Sequence, residues 1–460
     1  MKPNSLFRRL AGNLPGVLLW LAALPLAALG QANYDTHYTF TTLAGVARVA
    51  GTNDGTGSAA RFYEPGGVAL DSVGNLYVSD EGNNTIRKVT PGGAVTTLAG
   101  RAGTAGSADG TNSAARFNDP CGLAVDTNGN IYVADFGNDT IRKVSPVGTN
   151  WVVTTLAGYA LNVGSADGTN RAARFNGPVG VAVDTNGNIY VGDGYNNTIR
   201  KVSPVGTNWV VTTLAGQVGV AGSADGTNGA AQFYGPCQLV LDNAGNLFVT
   251  DFFNNTIRKV TPLGTNWVVT TLAGMPGYTG GETGNTGSAD GTNSAARFNW
   301  PWGVAVDSSG NVYVGDQINY TIRRLTPVGT NWVVTTLAGL AKNHGYADGT
   351  GSAARFYDPV GVAVDTNGNV YVTEYSNYTI RKGFPATSVP PPILQPPSLS
   401  AGQFGFGITG LPGLAVNIES SSNLSNWQVV GTYILDGGSN SYSVSPNPAL
   451  GGLFYRAQVK

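Results

Sequence analysis

Cysteine, histidine and methionine are scarce in this chain of 460 residues, with two of each. Two cysteines cannot build a disulfide framework. His37 and His344 stand in unlike contexts, so a histidine-rich zinc centre cannot be assembled. No G-x-S-x-G elbow is present, which removes the usual hydrolase nucleophile. Charged residues make up only 12% of the chain, 26 cations against 27 anions. No stretch carries helical periodicity. Gly16–Leu29 is the one apolar run that could reach into a membrane; it is short for a span and contains Pro25. Lys2, Arg8 and Arg9 precede it, and Ala28-Leu29-Gly30 offers a small-x-small cleavage site. Residues 1–30 therefore read as a secretory signal, with a retained anchor as the alternative. The mature chain is expected to be secreted: extracellular, at the cell surface or periplasmic. Its balance would be 23 cations against 27 anions, about −4, which argues against a nucleic-acid partner.

Against these absences, one sentence is written six times. Pro120–Val144 reads PCGLAVDTNGNIYVADFGNDTIRKV and Pro178–Val202 reads PVGVAVDTNGNIYVGDGYNNTIRKV; further copies begin at Pro65, Pro236, Pro301 and Pro359. Each unit holds four short runs rich in Val, Ile, Tyr and Thr, such as GVAVD, NIYVGD, TIRKV and NWVVTTLAG. Turn-forming Gly, Asn, Asp and Pro separate them, which is a strand pattern. Four strands per unit cannot bury both faces alone, so neighbouring units must stack. The expectation is an all-β fold, a β-propeller of six blades. The TTLAG phrase also occurs six times, closing at Gly45, Gly100, Gly158, Gly216, Gly274 and Gly339, one step out of phase with the other set. The sixth copy ends at Lys382 without one, while His37–Gly45 supplies a spare. That strand is expected to complete the last blade and close the ring, which removes a free sheet edge.

The motifs P-x-G-[VL]-A-[VL]-D, G-N-[IVL]-Y-V-x-D and N-x-T-I-R-[KR] resemble the NHL repeat over residues 37–383. The resemblance implies a secreted, bacterial-type six-bladed propeller. Some family members bind RNA on one face, and some propeller lyases hold zinc with several histidines, a set this chain lacks. The closing glycines lie 55, then 58 three times, then 65 residues apart, the excess sitting in a G-S-A-D-G-T-N-x-A-A-R-F insert before each proline. The propeller is assigned to residues 34–384. A Pro-rich linker follows at 385–398, and the alternating pattern of 399–460 predicts a small β-sandwich-like domain.

Features present in every copy are expected to be structural. The Arg-Lys pairs, such as Arg87-Lys88 and Arg323-Arg324, read as a solvated face. Asp80, Asp135, Asp193, Asp251, Asp316 and Glu374 close each second strand and read as turn anchors. The N-x-T sites at Asn83, Asn138, Asn196, Asn254, Asn319 and Asn377 read as turns rather than glycosylation acceptors. D-T-N-G-N at Asp126, Asp184 and Asp365 suits a hairpin better than a calcium loop. Asp109 and Arg116 read as a loop clasp, recurring as Asp167/Arg174 and Asp290/Arg297; Gln232 would leave Asp225 without it. Trp151, Trp209, Trp267 and Trp332 are expected to pack between strands. Cys121 and Cys237 occupy one repeat position two blades apart. An inner radius of roughly 7 Å separates them by about 12 Å, too far for a disulfide.

Function is expected where the copies disagree. First strands start and second strands end on one side, so the divergent loops share a face. Before the proline stand Glu64, Asp119, Gly177, Gly235, Trp300 and Asp358; after it stand Gly66, Cys121, Val179, Cys237, Trp302 and Val360. The second-to-third loops add Phe136, Tyr195, Phe252, Phe253, Gln317, Ile318 and Tyr375. Trp300, preceding Pro301, is expected to be extended, and the long insert Met275–Ala289 to wall a cleft beside Trp302. The candidate site is thus Trp300, Trp302, Tyr195, Phe252, Phe253, Tyr375, Gln317, Glu64, Asp119 and Asp358. An aromatic rim with a few polar groups suits a carbohydrate, a peptide or a partner protein. The leading expectation is a non-catalytic binding module without a cofactor. The alternative is a calcium-dependent lactonase- or lyase-like enzyme using Glu64, Asp119 and Asp358.

Overall fold

The computed structural model describes residues 38–276 and 285–385, together with short segments between 393 and 459. The signal-like residues 1–30 and most of the Pro-rich linker lie outside the described residues. Asp35–Ala386 form one compact unit, and the strands after it belong to another. The first unit is a ring of six antiparallel sheets. In blade two, the channel-side strand Pro120–Val125 is followed outward by Ile131–Asp135, Thr140–Val147 and Asn150–Ala157. Each sheet also carries a fifth strand that the sequence reading lacks. It is a two-residue Gly-Thr step from the insert, Gly110–Thr111 in blade two, pairing with Val153 and Val152 at the outer edge.

Closure is as expected. Tyr38–Gly45 runs antiparallel to Thr379–Pro385, with Thr41 opposite Lys382, inside the sixth sheet. A register break between Thr42 and Ala44 repeats the break that every other blade has opposite its arginine. The apolar core is divided among six clusters, one at each junction. At the first, Tyr77, Ile86 and Leu98 of blade one meet Phe117, Leu123 and Val133 of blade two. At the closing junction, Ala44, Ala363 and Tyr371 meet Phe62, Leu76 and Val78. The recurrent tryptophans are packing residues: Trp151 lies edge-on to Tyr77, Trp267 to Tyr190 and Trp332 to Phe248, each across a junction.

The Arg-Lys pairs correct the sequence reading. Strand residues alternate sides, and Arg87, Arg142, Arg200, Arg258, Arg323 and Arg381 all turn inward and are fully buried. Arg142 binds Asp135 at 2.6 Å and Asp109 at 2.8 Å, and its guanidinium lies over the Phe117 ring. The Asp109–Arg116 clasp is therefore absent. Asp109 holds Arg142 and the backbone N–H and hydroxyl of Thr155, while Arg116 donates to the carbonyls of Ser113 and Ala115. Asp225, which has Gln232 in place of that arginine, binds Arg258 at 2.9 Å as its counterparts bind theirs. Burial pushes the carboxyls of Asp80, Asp135 and Asp193 up to about 6 despite the arginine, asparagine and backbone donors that pull them down. They remain charged at neutral pH.

The two turn readings agree with the structure. Asn138 donates to Asp135 and to the Gly106 carbonyl, tying its turn to the insert. Asp126 accepts from the backbone of Asn128 and Asn130, the side chain of Asn130 and the hydroxyl of Tyr132, closing a hairpin. In the second unit, Gln403–Thr409 pairs with Ser439–Val444, and Ala415–Ser421 lies between Gln428–Ile434 and Phe454–Val459. These strands form two small antiparallel sheets. Among the described residues, no helix is long and apolar enough to cross a membrane.

Two outcomes follow. A chain lacking residues 38–45 exposes the edge of blade six and should aggregate or melt far lower; an unchanged melting temperature would refute this closure. Arg142→Met strands Asp135 in the core and should cost about 3–5 kcal/mol in urea unfolding. Lys143→Met, at the half-exposed neighbour, should cost less than about 0.5 kcal/mol.

Candidate functional site

Each first strand begins at its proline opposite the acid that ends the second strand, as Pro120 pairs with Asp135. The residues flanking the prolines and those after each acid therefore form one ring around the channel mouth. The pre-proline residues are not extended. Trp300 has φ 57°, Glu64 and Asp119 55°, and Asp358 51°. At four junctions a side chain of the previous blade accepts the N–H of this residue: Asn84 that of Asp119, Asp139 that of Gly177, Asn197 that of Gly235 and Asn255 that of Trp300. At the two remaining junctions the accepting position holds Tyr320 and Tyr378, which keep the same left-handed backbone, φ 59°.

Below the mouth one blade departs from the repeat. Five blades place glycine two residues after the proline (Gly67, Gly122, Gly180, Gly303 and Gly361), whereas blade four places Gln238. The Gln238 carboxamide reaches across to blades two and three: a side chain begun at Gly122 would lie 2.9 Å from its Nε2, and one at Gly180 3.0 Å from its Oε1. Deeper still, a cavity of about 240 Å³ is lined by the first strands, Val68–Leu70 and their counterparts.

Above this level lies a second cavity of about 280 Å³, set off-centre toward blades five, six, one and two. Trp302, Gln317, Val360 and Tyr375 line one side, and Glu81, Asp119, Cys121 and Phe136 the other. The opposite part of the mouth is filled by Cys121, Val179, Cys237 and Phe252, with Phe136, Phe253 and Trp302 packed against them. The Phe252 ring contacts Phe253 at 4.8 Å, Trp300 at 5.1 Å and Trp302 at 5.2 Å between centroids.

The expected residues thus separate. Trp302, Gln317, Tyr375 and Asp119 line the cavity, and Glu64 joins them by accepting the Tyr375 hydroxyl at 3.1 Å. Phe252 is buried beneath the rim. Phe253 is half-buried, and Trp300 (40% exposed) and Tyr195 (60%) stand on the outer surface. Asp358 accepts from the Ser376 hydroxyl and feels the charge of His344, and it is not among the residues lining the cavity. The central part of the long insert, residues 277–284, lies outside the described residues.

Sequence reasoning missed Glu81. It follows Asp80, in the position occupied by Phe136, Gly194, Phe252, Gln317 and Tyr375 elsewhere, so comparison of those six would have exposed it. It is only 7% exposed. Burial, then the charge of Asp119, then those of Glu64 and Asp80, raise its carboxyl well above the ordinary range, although the Cys121 thiol hydrogen-bonds to it. Burial and the Glu64 charge also raise Asp119. Burial and Glu81 drive the Cys121 thiol up, so it is no nucleophile. Two buried polar atoms of the lining, Trp302 Nε1 and Gln317 Oε1, have no hydrogen-bond partner. Among the described residues, no three His, Cys, Asp or Glu side chains are placed to hold a metal ion.

The NHL repeat profile matches residues 62–89, 117–144, 175–202, 298–324 and 356–382. The chain is 27% identical over 351 residues to human NHL repeat-containing protein 2, a match covering 69% of this chain and 46% of that protein. It is 29% identical over 287 residues to SUPPRESSOR OF QUENCHING 1 of Arabidopsis thaliana, covering 59% and 26%. The chain spans less than half the length of these curated relatives. A Bacteroides thetaiotaomicron protein of unknown function shares the fold with a TM-score of 0.58 at 22% identity, covering 76% of each chain. An auxiliary nutrient binding protein of Bacteroides ovatus does so with a TM-score of 0.55 at 18% identity, covering 76% of this chain and 77% of that one.

Cys121 and Cys237 are free and buried, as their ring positions require. Neither should react with a thiol reagent in the native protein at neutral pH. Both should react after denaturation without reductant, read by peptide mass spectrometry; a 121–237 disulfide in that map would contradict the structure.

Proposed function

We propose that this chain, which belongs to the NHL-repeat family and folds as a six-bladed propeller, is an exported, non-catalytic binding module. Its site is the off-centre cavity at the loop-rich mouth, and its ligand is a carbohydrate or a peptide end. The observation that carries this reading is the cavity itself, a space walled by aromatic rings and a few polar side chains at the one face where the six copies diverge. The aromatic faces of Trp302, Phe136 and Tyr375 suit the C–H face of a sugar ring or an apolar side chain. At about 280 Å³ the cavity admits one such unit, close to the lower end of small-molecule sites.

Catalysis by the calcium-dependent route would need Glu64, Asp119 and Asp358 to converge. Asp358 is instead engaged by the Ser376 hydroxyl, and Glu64 by that of Tyr375. The fold likeness to the Bacteroides ovatus protein carries architecture alone, yet the proposed role is compatible with the nutrient binding stated of that protein. Export rests on the signal-like residues 1–30.

Screening the chain on glycan and peptide arrays tests the reading. Trp302→Ala should weaken a hit by about 2 kcal/mol, roughly thirtyfold. The melting temperature should fall by a few degrees only, because Val or Gly fills this position in other blades. Unchanged affinity with a sharply lower melting temperature would make Trp302 a packing residue and move the site elsewhere.

A further inference from the structure

A second set of departures from the repeat lies outside the cavity, on the loop-rich face of blades five, six and one. Where four blades carry Asn84, Asp139, Asn197 or Asn255, the other two carry Tyr320 and Tyr378. The insert leading into blade six adds His344 and Tyr346, where the inserts into blades one to four have Ala or Val and Thr or Ser. These changes converge. His344 stacks on Tyr357 with centroids 4.3 Å apart, and Tyr320 stands edge-on to both, at 5.4 and 5.8 Å. Tyr63 stands edge-on to Tyr378 at 5.6 Å. None of these six rings is buried, and Tyr346 is 58% exposed. Exposed ring surface gathered in this way marks an interaction site.

The second, independent observation is a cation. The Arg48 guanidinium lies over the Tyr346 ring at 5.7 Å and the Tyr357 ring at 5.6 Å. The six blade arginines are buried and hold two acids each, whereas Arg48 is exposed and has no carboxylate partner among the described residues. Its backbone N–H donates to the Asn377 carbonyl, and that of Lys342 donates to the Asn319 carbonyl. Arg48 and Lys342 thus occupy one step of two neighbouring inserts, where other inserts have Gly103, Leu161 and Gly219. The acids of this sector, Asp358 and Glu64, already accept the hydroxyls of Ser376 and Tyr375.

We propose that this surface is a second binding site, separate from the cavity, for a polysaccharide with carboxylates at intervals along it. The tyrosine and histidine rings take the C–H faces of the sugars. Arg48 offers a planar fork, held over two rings, that suits a carboxylate. Two cations beside six rings match a chain of sparse charge, not the unbroken phosphates of a nucleic acid.

Isothermal titration of the full chain tests this with a hyaluronan hexasaccharide, which carries a carboxylate on every second sugar. The controls are its carboxyl-reduced form and a thymidine hexanucleotide. Hyaluronan should bind at least tenfold more tightly than either. In Arg48→Gln its preference over the reduced form should fall to threefold or less, and in Tyr346→Ala both saccharides should weaken at least fivefold. Both positions are exposed, and melting curves confirm that the variants fold. Trp302→Ala should leave hyaluronan binding unchanged. Equal binding of the two saccharides, binding of neither, or tighter binding of the oligonucleotide overturns the proposal. So does hyaluronan binding that survives Arg48→Gln and Tyr346→Ala unaltered. Loss of binding in Trp302→Ala alone would place the saccharide in the cavity, overturning the second site while upholding the first.

Discussion

Everything on the loop-rich side hangs from a buried ion pair repeated around the ring. In each blade an arginine on the third strand meets the acid that ends the second strand, and its other nitrogen holds an aspartate of the preceding insert. The guanidinium also accepts nothing and must donate, which draws in carbonyls of the insert such as Arg116 O and Ala108 O. A loop rich in glycine and small polar residues has little apolar surface to bury. Here it is fastened instead by directional, charge-assisted bonds in a dry setting. Such a pair adds little net stability relative to an apolar substitute, but it fixes one geometry. The mouth residues flank these loops, so their positions are set by the arginines.

On this regular frame the variation is concentrated. The junction clusters use the same residue types blade after blade, while the mouth divides into an apolar half around Phe252 and Cys237 and an acidic half around Glu81 and Asp119. Rotational symmetry would place six equal groups on the axis. Breaking it costs nothing in the core, because the differing side chains project from strand ends and turns. The same logic explains why blade four carries Gln238 where glycine otherwise lets neighbouring backbones approach.

The architecture was legible because it is written in periodicity: alternation gives strands, six copies give blades, and the phase offset gives the closing strand. The buried arginines were not. A basic pair mid-strand has the composition of a solvated face. Only the register shows that Arg142 and Lys143 look in opposite directions, and only the fold brings Asp109, 33 residues away, beside the arginine. The left-handed Trp300 was hidden for a similar reason, since the local preference before proline is overridden at this position around the ring, where Glu64, Asp119 and Asp358 share the conformation. At the site, divergence between copies pointed to Trp302, Gln317, Tyr375 and Asp119, which line the cavity. It could not separate lining from rim, because Trp300 and Trp302 are equivalent by divergence and differ only in which way the strand turns them. Glu81 escaped because its significance depends on Gly66, the glycine it lies over.

Gln238 is a carboxamide set at a level where the other five blades have only glycine, and it leans toward blades two and three. A frame of six near-identical copies thus carries a single polar marker beside its axis, so the passage has one lined flank and one bare one, and no rotation of the ring brings the molecule onto itself.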